Sequence, residues 1–133
     1  MWTSETQPQP PYSVLVIDDD TSLLTLLRIL LTASGYAVTT ATGAAHALDL
    51  AERAKFDLVL LDLEMPGMDG RDFYAELRQR GIDTPVVIVS AYGAEAARAQ
   101  LGANGAIAKP FDPADLSRTV RQVIERTRGS AQA

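Results

Sequence analysis

A chain of 133 residues, 47% hydrophobic and 22% charged, has the length for one domain with a complete core and the balance of a folded protein rather than a disordered one. Its formal charge of −5, from 17 acidic against 12 basic residues, argues against direct nucleic-acid binding or capture by an anionic membrane. The lack of cysteine excludes disulfides and thiolate chemistry, and no apolar run approaches the roughly 20 residues of a membrane helix, so a soluble, cytoplasmic protein is expected.

Residues 1–11, MWTSETQPQPP, mix proline with Gln, Ser and Thr without any hydrophobic period and read as a flexible tail. The domain proper is expected over 12–128, with the small and polar residues 129–133 as a C-terminal tail. Within it, the continuous runs Val14–Ile17, Leu58–Leu61 and Val86–Val89 have the composition of parallel strands covered on both faces. Tyr36–Ala41, with Thr39 and Thr40, suits an edge strand, and Gly105–Ala108 a short last strand.

Between the strands, Leu23, Leu26, Leu27 and Leu30 recur at helical spacing before Gly35. Ala44, Ala47, Leu48 and Ala51 give a second stripe; Phe73, Tyr74 and Leu77 a third, ending at Gly81; Ala94, Ala97 and Leu101 a fourth. The fifth helix opens on Asp112 as N-cap and Pro113, and continues through Leu116, Val120, Val123 and Ile124, with Arg126 and Arg128 near its end to complement the dipole. Strict strand–helix alternation with short connections implies right-handed crossovers onto a parallel sheet, an α/β doubly wound fold that collects ligands at the carboxyl ends of its strands.

That rim receives Asp18, Asp19 and Asp20 after the first strand, Asp62 after the third, Ser90 after the fourth and Lys109 after the fifth. Carboxylates gathered in one place repel, by roughly 4 kcal/mol for a pair at about 4 Å and an effective dielectric near 20, so a cation must compensate. Oxygen donors without His or Cys select a hard ion, and Mg²⁺ is expected. Beside a metal and a lysine a carboxylate stays ionised and can attack phosphorus, and Asp62 is best placed to do so. The charge on a transferred phosphoryl group would be met by Mg²⁺, the Lys109 ammonium and the Ser90 hydroxyl.

Over about Tyr12 to Thr127 the chain resembles the receiver domains of two-component response regulators. The resemblance rests on VLVIDDD, LVLLDLEMPGMDG, VVIVSA and AIAKPF in that order. It implies a flavodoxin-like five-stranded sheet in the order 2-1-3-4-5 with five helices, as in the stand-alone chemotaxis regulator type. It further implies Mg²⁺ on Asp19, Asp62 and the Glu64 backbone carbonyl, with Asp18 acting through water. By the same resemblance Asp62 is the phosphoacceptor, Ser90 and Lys109 contact the phosphoryl group, and Lys109–Pro110 is a cis peptide. The implied partners are a sensor histidine kinase or histidine phosphotransfer protein and a downstream protein, with no catalysis beyond the domain's own phosphorylation and dephosphorylation.

Ala106 departs from the family pattern, which has an aromatic residue there, and this puts the usual output relay in doubt; rerouting through Tyr92 is an alternative. Glu64 and Tyr92 also flank the expected phosphoryl group and would restrict attacking water. The ordinary readings weigh more for other residues: Asp20, Asp69, Asp112 and Asp115 as helix caps, and His46, without a His or Cys partner, as a surface residue. Two other functions remain open, a receiver fold kept as a scaffold not controlled by phosphorylation, and an aspartate-nucleophile phosphatase with Asp18 as nucleophile.

Overall fold

The apolar runs become strands because both of their faces are covered, and the amphipathic stretches become the helices that cover them. The computed structural model describes residues 11–65 and 69–132; residues 1–10 of the tail expected over 1–11, residues 66–68 and residue 133 lie outside the described residues. In chain order the elements are β1 (Ser13–Ile17), α1 (Thr21–Ala33), β2 (Ala37–Ala41), α2 (Ala44–Arg53), β3 (Leu58–Asp62), α3 (Gly70–Gln79), β4 (Val86–Ser90), α4 (Ala94–Leu101), β5 (Gly105–Ala108) and α5 (Pro113–Gln132). The five strands are parallel, in the order β2-β1-β3-β4-β5. No described helix is long and apolar enough to cross a membrane.

Strand alternation divides the core into two layers. Leu15, Ile17, Val59, Leu61 and Ile88 pack with Ala47, Phe73, Leu77 and Ala97 of α2, α3 and α4. Val14, Val16, Leu58, Leu60, Val87 and Val89 pack with Leu24, Leu27 and Leu31 of α1 and with Leu116, Val120 and Val123 of α5. Burial of each such side chain larger than alanine contributes about 1.5–3 kcal/mol, and the central strands carry no polar residue between their first and last positions.

Two expectations need correction. The buried stripe of α1 is Leu24, Leu27 and Leu31, whereas Leu26 is 46% exposed and Leu23 and Leu30 are only half-buried. With leucine at so many positions several stripes compete, and the angle at which α1 meets β1 and β2 selects among them. The second correction concerns α5, which runs on to Gln132, past the expected domain end at Arg128. Gly129 lowers helix propensity by about 1 kcal/mol but supplies no stop, and no proline follows it. Arg126 and Arg128 therefore do not lie in the last turn; Arg126 donates to Asn104 O at 3.0 Å and Arg128 to Asp57 Oδ1 at 2.9 Å.

Three of the four expected caps follow the sequence, whereas Asp115 lies inside the first turn of α5 and pairs with Arg118. Asp20 accepts from the N–H groups of Ser22 and Leu23, Asp69 from Arg71 and Asp112 from Ala114, each satisfying a donor that the first helical turn leaves free. His46 is exposed on α2.

Candidate functional site

The carboxyl ends of β1, β3 and β4 form one rim because these strands are neighbours in register, with Ile17 opposite Leu61 and Asp62 opposite Val89. Asp62 and Ser90 are the last residues of their strands rather than the first of the loops, and each is buried. Asp18 follows β1; its N–H continues the ladder to Ala41 O at 3.2 Å, and its Oδ1 accepts from Asp20 N–H at 3.0 Å. That turn directs the Asp18 carboxylate into the rim and leaves Asp19 exposed at its edge.

Lys109, the residue after β5, is anchored by its own N–H to Ser90 O at 2.9 Å and reaches inward. Its Nζ stands 3.3 Å from Asp18 Oδ2 and 3.3 Å from Asp62 Oδ1. Burial above all, then the Asp62 charge, pushes the Asp18 carboxyl up to about 6 against the pull of Asp20 N–H and the Lys109 ammonium. For Lys109 burial acts to lower the pKa, but the charges of Asp18 and Asp62 outweigh it and raise it. One ammonium thus serves a group whose carboxylate oxygens, from Asp18, Asp19 and Asp62, lie within 4.8 Å of one another. Such a set, oxygen donors only and under-neutralised, fits a hard divalent cation.

The loop after β3 is held tightly. Leu63 N–H donates to Val89 O at 3.2 Å and Gly70 N–H to Leu63 O at 3.3 Å. A Cβ on Gly70 would stand 2.7 Å from Leu63 Cα and 2.8 Å from Asp62 O, so glycine here serves a close approach of α3 to the acidic strand end rather than a turn. The Lys109–Pro110 peptide is cis.

Sequence reasoning set Glu64 beside the expected phosphoryl group but did not give its side chain's partners. Its Oε2 accepts from the Ser90 hydroxyl and its Oε1 from Ala91 N–H at 3.2 Å, while Glu64 N–H donates to Asp62 Oδ1 at 3.2 Å. Ser90 is thereby joined to the acidic group through Glu64. The signal available was adjacency: a residue two places beyond the end of β3 comes beside the residues that follow β4, its parallel neighbour. Tyr92 is 80% exposed on that β4–α4 loop. Ala106, paired with Ile88, adjoins a cavity of about 320 Å³ walled in part by Pro110, Phe111, Arg118 and Thr119. Another, of about 380 Å³ beside Phe56 and Pro85, opens at the opposite rim, away from Asp18, Asp19 and Asp62.

The model of the response regulator receiver domain family matches residues 14–121. Over 117 residues the chain is 36% identical to the alkaline phosphatase synthesis transcriptional regulatory protein PhoP of Bacillus subtilis, a match covering 86% of this chain and 49% of that protein. The chain thus spans about half the length of that curated relative. A CheY-like response regulator receiver domain protein from Methanospirillum hungatei superposes with a TM-score of 0.83 at 25% identity, over 90% of this chain and 98% of the other. The response regulator TrrA of Thermotoga maritima, solved in complex with Mg²⁺ and BeF, superposes with a TM-score of 0.77 at 29% identity, over 84% and 98%. Sheet order, acidic rim, lysine and family match agree: this chain belongs to the response regulator receiver domains of two-component signalling.

Proposed function

We propose that Asp62 accepts a phosphoryl group from the phosphohistidine of a sensor histidine kinase or histidine phosphotransfer protein, with Mg²⁺, and that the domain then signals by protein contact. The observation that carries this reading is a buried carboxylate at the end of β3 with an ammonium at 3.3 Å and the carboxylates of Asp18 and Asp19 beside it. An Asp62 oxygen forms the new bond to phosphorus as the donor's P–N bond breaks, and the electron pair stays on the leaving imidazole nitrogen. Lys109 holds the Asp62 oxygen and is placed to meet charge on the transferred group. Asp19, Asp62 and the Glu64 backbone carbonyl would hold Mg²⁺, with Asp18 through water; when bound, the ion would neutralise charge on the phosphoryl oxygens.

The Mg²⁺–BeF complex of the TrrA relative supports the same reading. A protein donor is supported by α1, which starts beside the acidic rim and exposes Leu26 and Ile29, the latter to 59%. The phosphatase alternative is disfavoured because the Asp20 carboxylate is taken up by the N–H groups of α1. The scaffold alternative draws on Ala106 alone. Intact mass after incubation with acetyl phosphate and Mg²⁺ tests the proposal. Wild type is expected to gain one labile phosphoryl group and Asp62→Ala none; an unmodified, folded wild type refutes it.

A further inference from the structure

Before any phosphoryl group arrives, the donors at the end of β4 are already serving an anion. The Glu64 carboxylate accepts from the Ser90 hydroxyl and from Ala91 N–H. A serine hydroxyl has one proton, and this one is fully buried. Ser90 Oγ also accepts from Tyr92 N–H at 3.1 Å and lies 2.9 Å from Tyr92 O. With its proton given to Glu64, the hydroxyl has none for a second anion. Asp62 sits one register step from Ser90 and is bonded to Glu64 N–H, so an anion carried by Asp62 would draw on the same donors.

We infer that Glu64 is an internal competitor for the phosphoryl group: its carboxylate fills the Ser90–Ala91 subsite in the unmodified domain and is displaced when Asp62 is phosphorylated. The inference rests on the phosphoacceptor reading above. Two like charges at one pair of donors are mutually exclusive, and Glu64 is exposed, so its displaced carboxylate returns to water at little cost. The exchange transfers Ser90 and Ala91 from a ligand on the β3–α3 loop to one on Asp62. Because Ser90 Oγ holds Tyr92 N–H, the change is felt first at an exposed aromatic side chain and requires nothing of position 106.

The test is isothermal titration of wild type, Glu64→Ala, Glu64→Gln and Asp62→Ala with beryllofluoride and Mg²⁺, where beryllofluoride stands in for the phosphoryl group. Proton–nitrogen spectra of the same samples follow the Ala91 amide, and matched thermal melts establish that the variants fold. Removing the competing carboxylate is expected to tighten binding about tenfold or more in Glu64→Ala, as for a hydrogen bond to a charged group, with Glu64→Gln between it and wild type. The Ala91 amide resonance of free Glu64→Ala should already be displaced. If Asp62→Ala alone abolishes binding while both Glu64 variants bind as wild type does, the competitor falls and the acceptor stands. If folded wild type does not bind at all, the acceptor reading falls and takes the competitor with it.

Discussion

Replacing Asp18 by Asn should stabilise the metal-free domain at neutral pH, although Asp18 is a central residue of the site. The carboxyl titrates at 3.8 in a free chain and at about 6 in the fold, where burial and the neighbouring Asp62 disfavour its charge. Between those values the folded state holds a proton that the unfolded state has lost. Stability therefore falls as pH rises from about 4 to 6 and stays reduced above that. Each tenfold in proton affinity is worth about 1.4 kcal/mol, so the penalty at pH 7 reaches roughly 3 kcal/mol. Asn keeps an oxygen for Asp20 N–H but denies Lys109 one carboxylate, so a gain of about 1–2 kcal/mol is expected, or about 3–8 °C in Tm. Urea denaturation of both proteins in chelator from pH 4 to pH 8 is the assay. The difference should be near zero at the acid end, grow through pH 5 and level off above 6. Adding Mg²⁺ should recover stability in wild type more than in the variant, because the ion favours the ionised carboxyl. A variant less stable than wild type at pH 7, or a difference independent of pH, would refute this account of the rim.

Two further predictions concern the frame around the site. Gly70→Ala forces a methyl group to 2.7 Å from Leu63 Cα, against backbone that cannot yield without shifting the end of β3; a loss of about 1–3 kcal/mol in chemical denaturation is expected, with slower labling by acetyl phosphate. An unchanged melting curve would show that α3 can slide outward freely. Ala106→Tyr, by contrast, has the adjoining cavity of about 320 Å³ to enter, and its stability should change by less than about 1.5 kcal/mol, read from the same denaturation curves.

Most of the fold was legible because its signals are local. Each apolar run with its Gly or Asp boundary says strand or helix without reference to the rest, and β5 at Gly105–Ala108 and the Asp69 cap of α3 needed nothing more. The buried face of α1 was not legible. Leucine at positions 23, 24, 26, 27, 30 and 31 satisfies more than one helical stripe, and only docking on the sheet decides between them. The end of α5 was misplaced for the converse reason: a single glycine among helix-compatible residues is a weak local signal, and Arg128 is held by Asp57 and by the ring of Tyr12, 5.0 Å away, both contacts distant in sequence. In the site, residue types at strand ends sufficed for Asp18, Asp19, Asp62, Ser90 and Lys109. Glu64 was expected near the phosphoryl group, but its bonds to Ser90 and Ala91 were not legible, because those partners belong to the next strand and a glutamate on a loop carries no mark of where it turns.

The rim concentrates negative charge in two places, at Asp18, Asp19 and Asp62 around one ammonium, and at Glu64 on a hydroxyl and an amide. The two are mechanically joined, since Lys109 N–H binds Ser90 O while Ser90 Oγ binds Glu64 and Tyr92 N–H. A dianion placed on Asp62 would compete for the Lys109 ammonium and for the Ser90 hydroxyl together, so neither cluster can adjust alone. Ala106 lies on β5, outside this chain of bonds. Its small side chain removes an aromatic element from the face between β5 and α5, yet it leaves the coupling from Asp62 through Ser90 to Tyr92 complete. Under the proposed function, a phosphoryl group on Asp62 would reach the β4–α4 loop through Ser90 and Tyr92 N–H without the side chain at position 106.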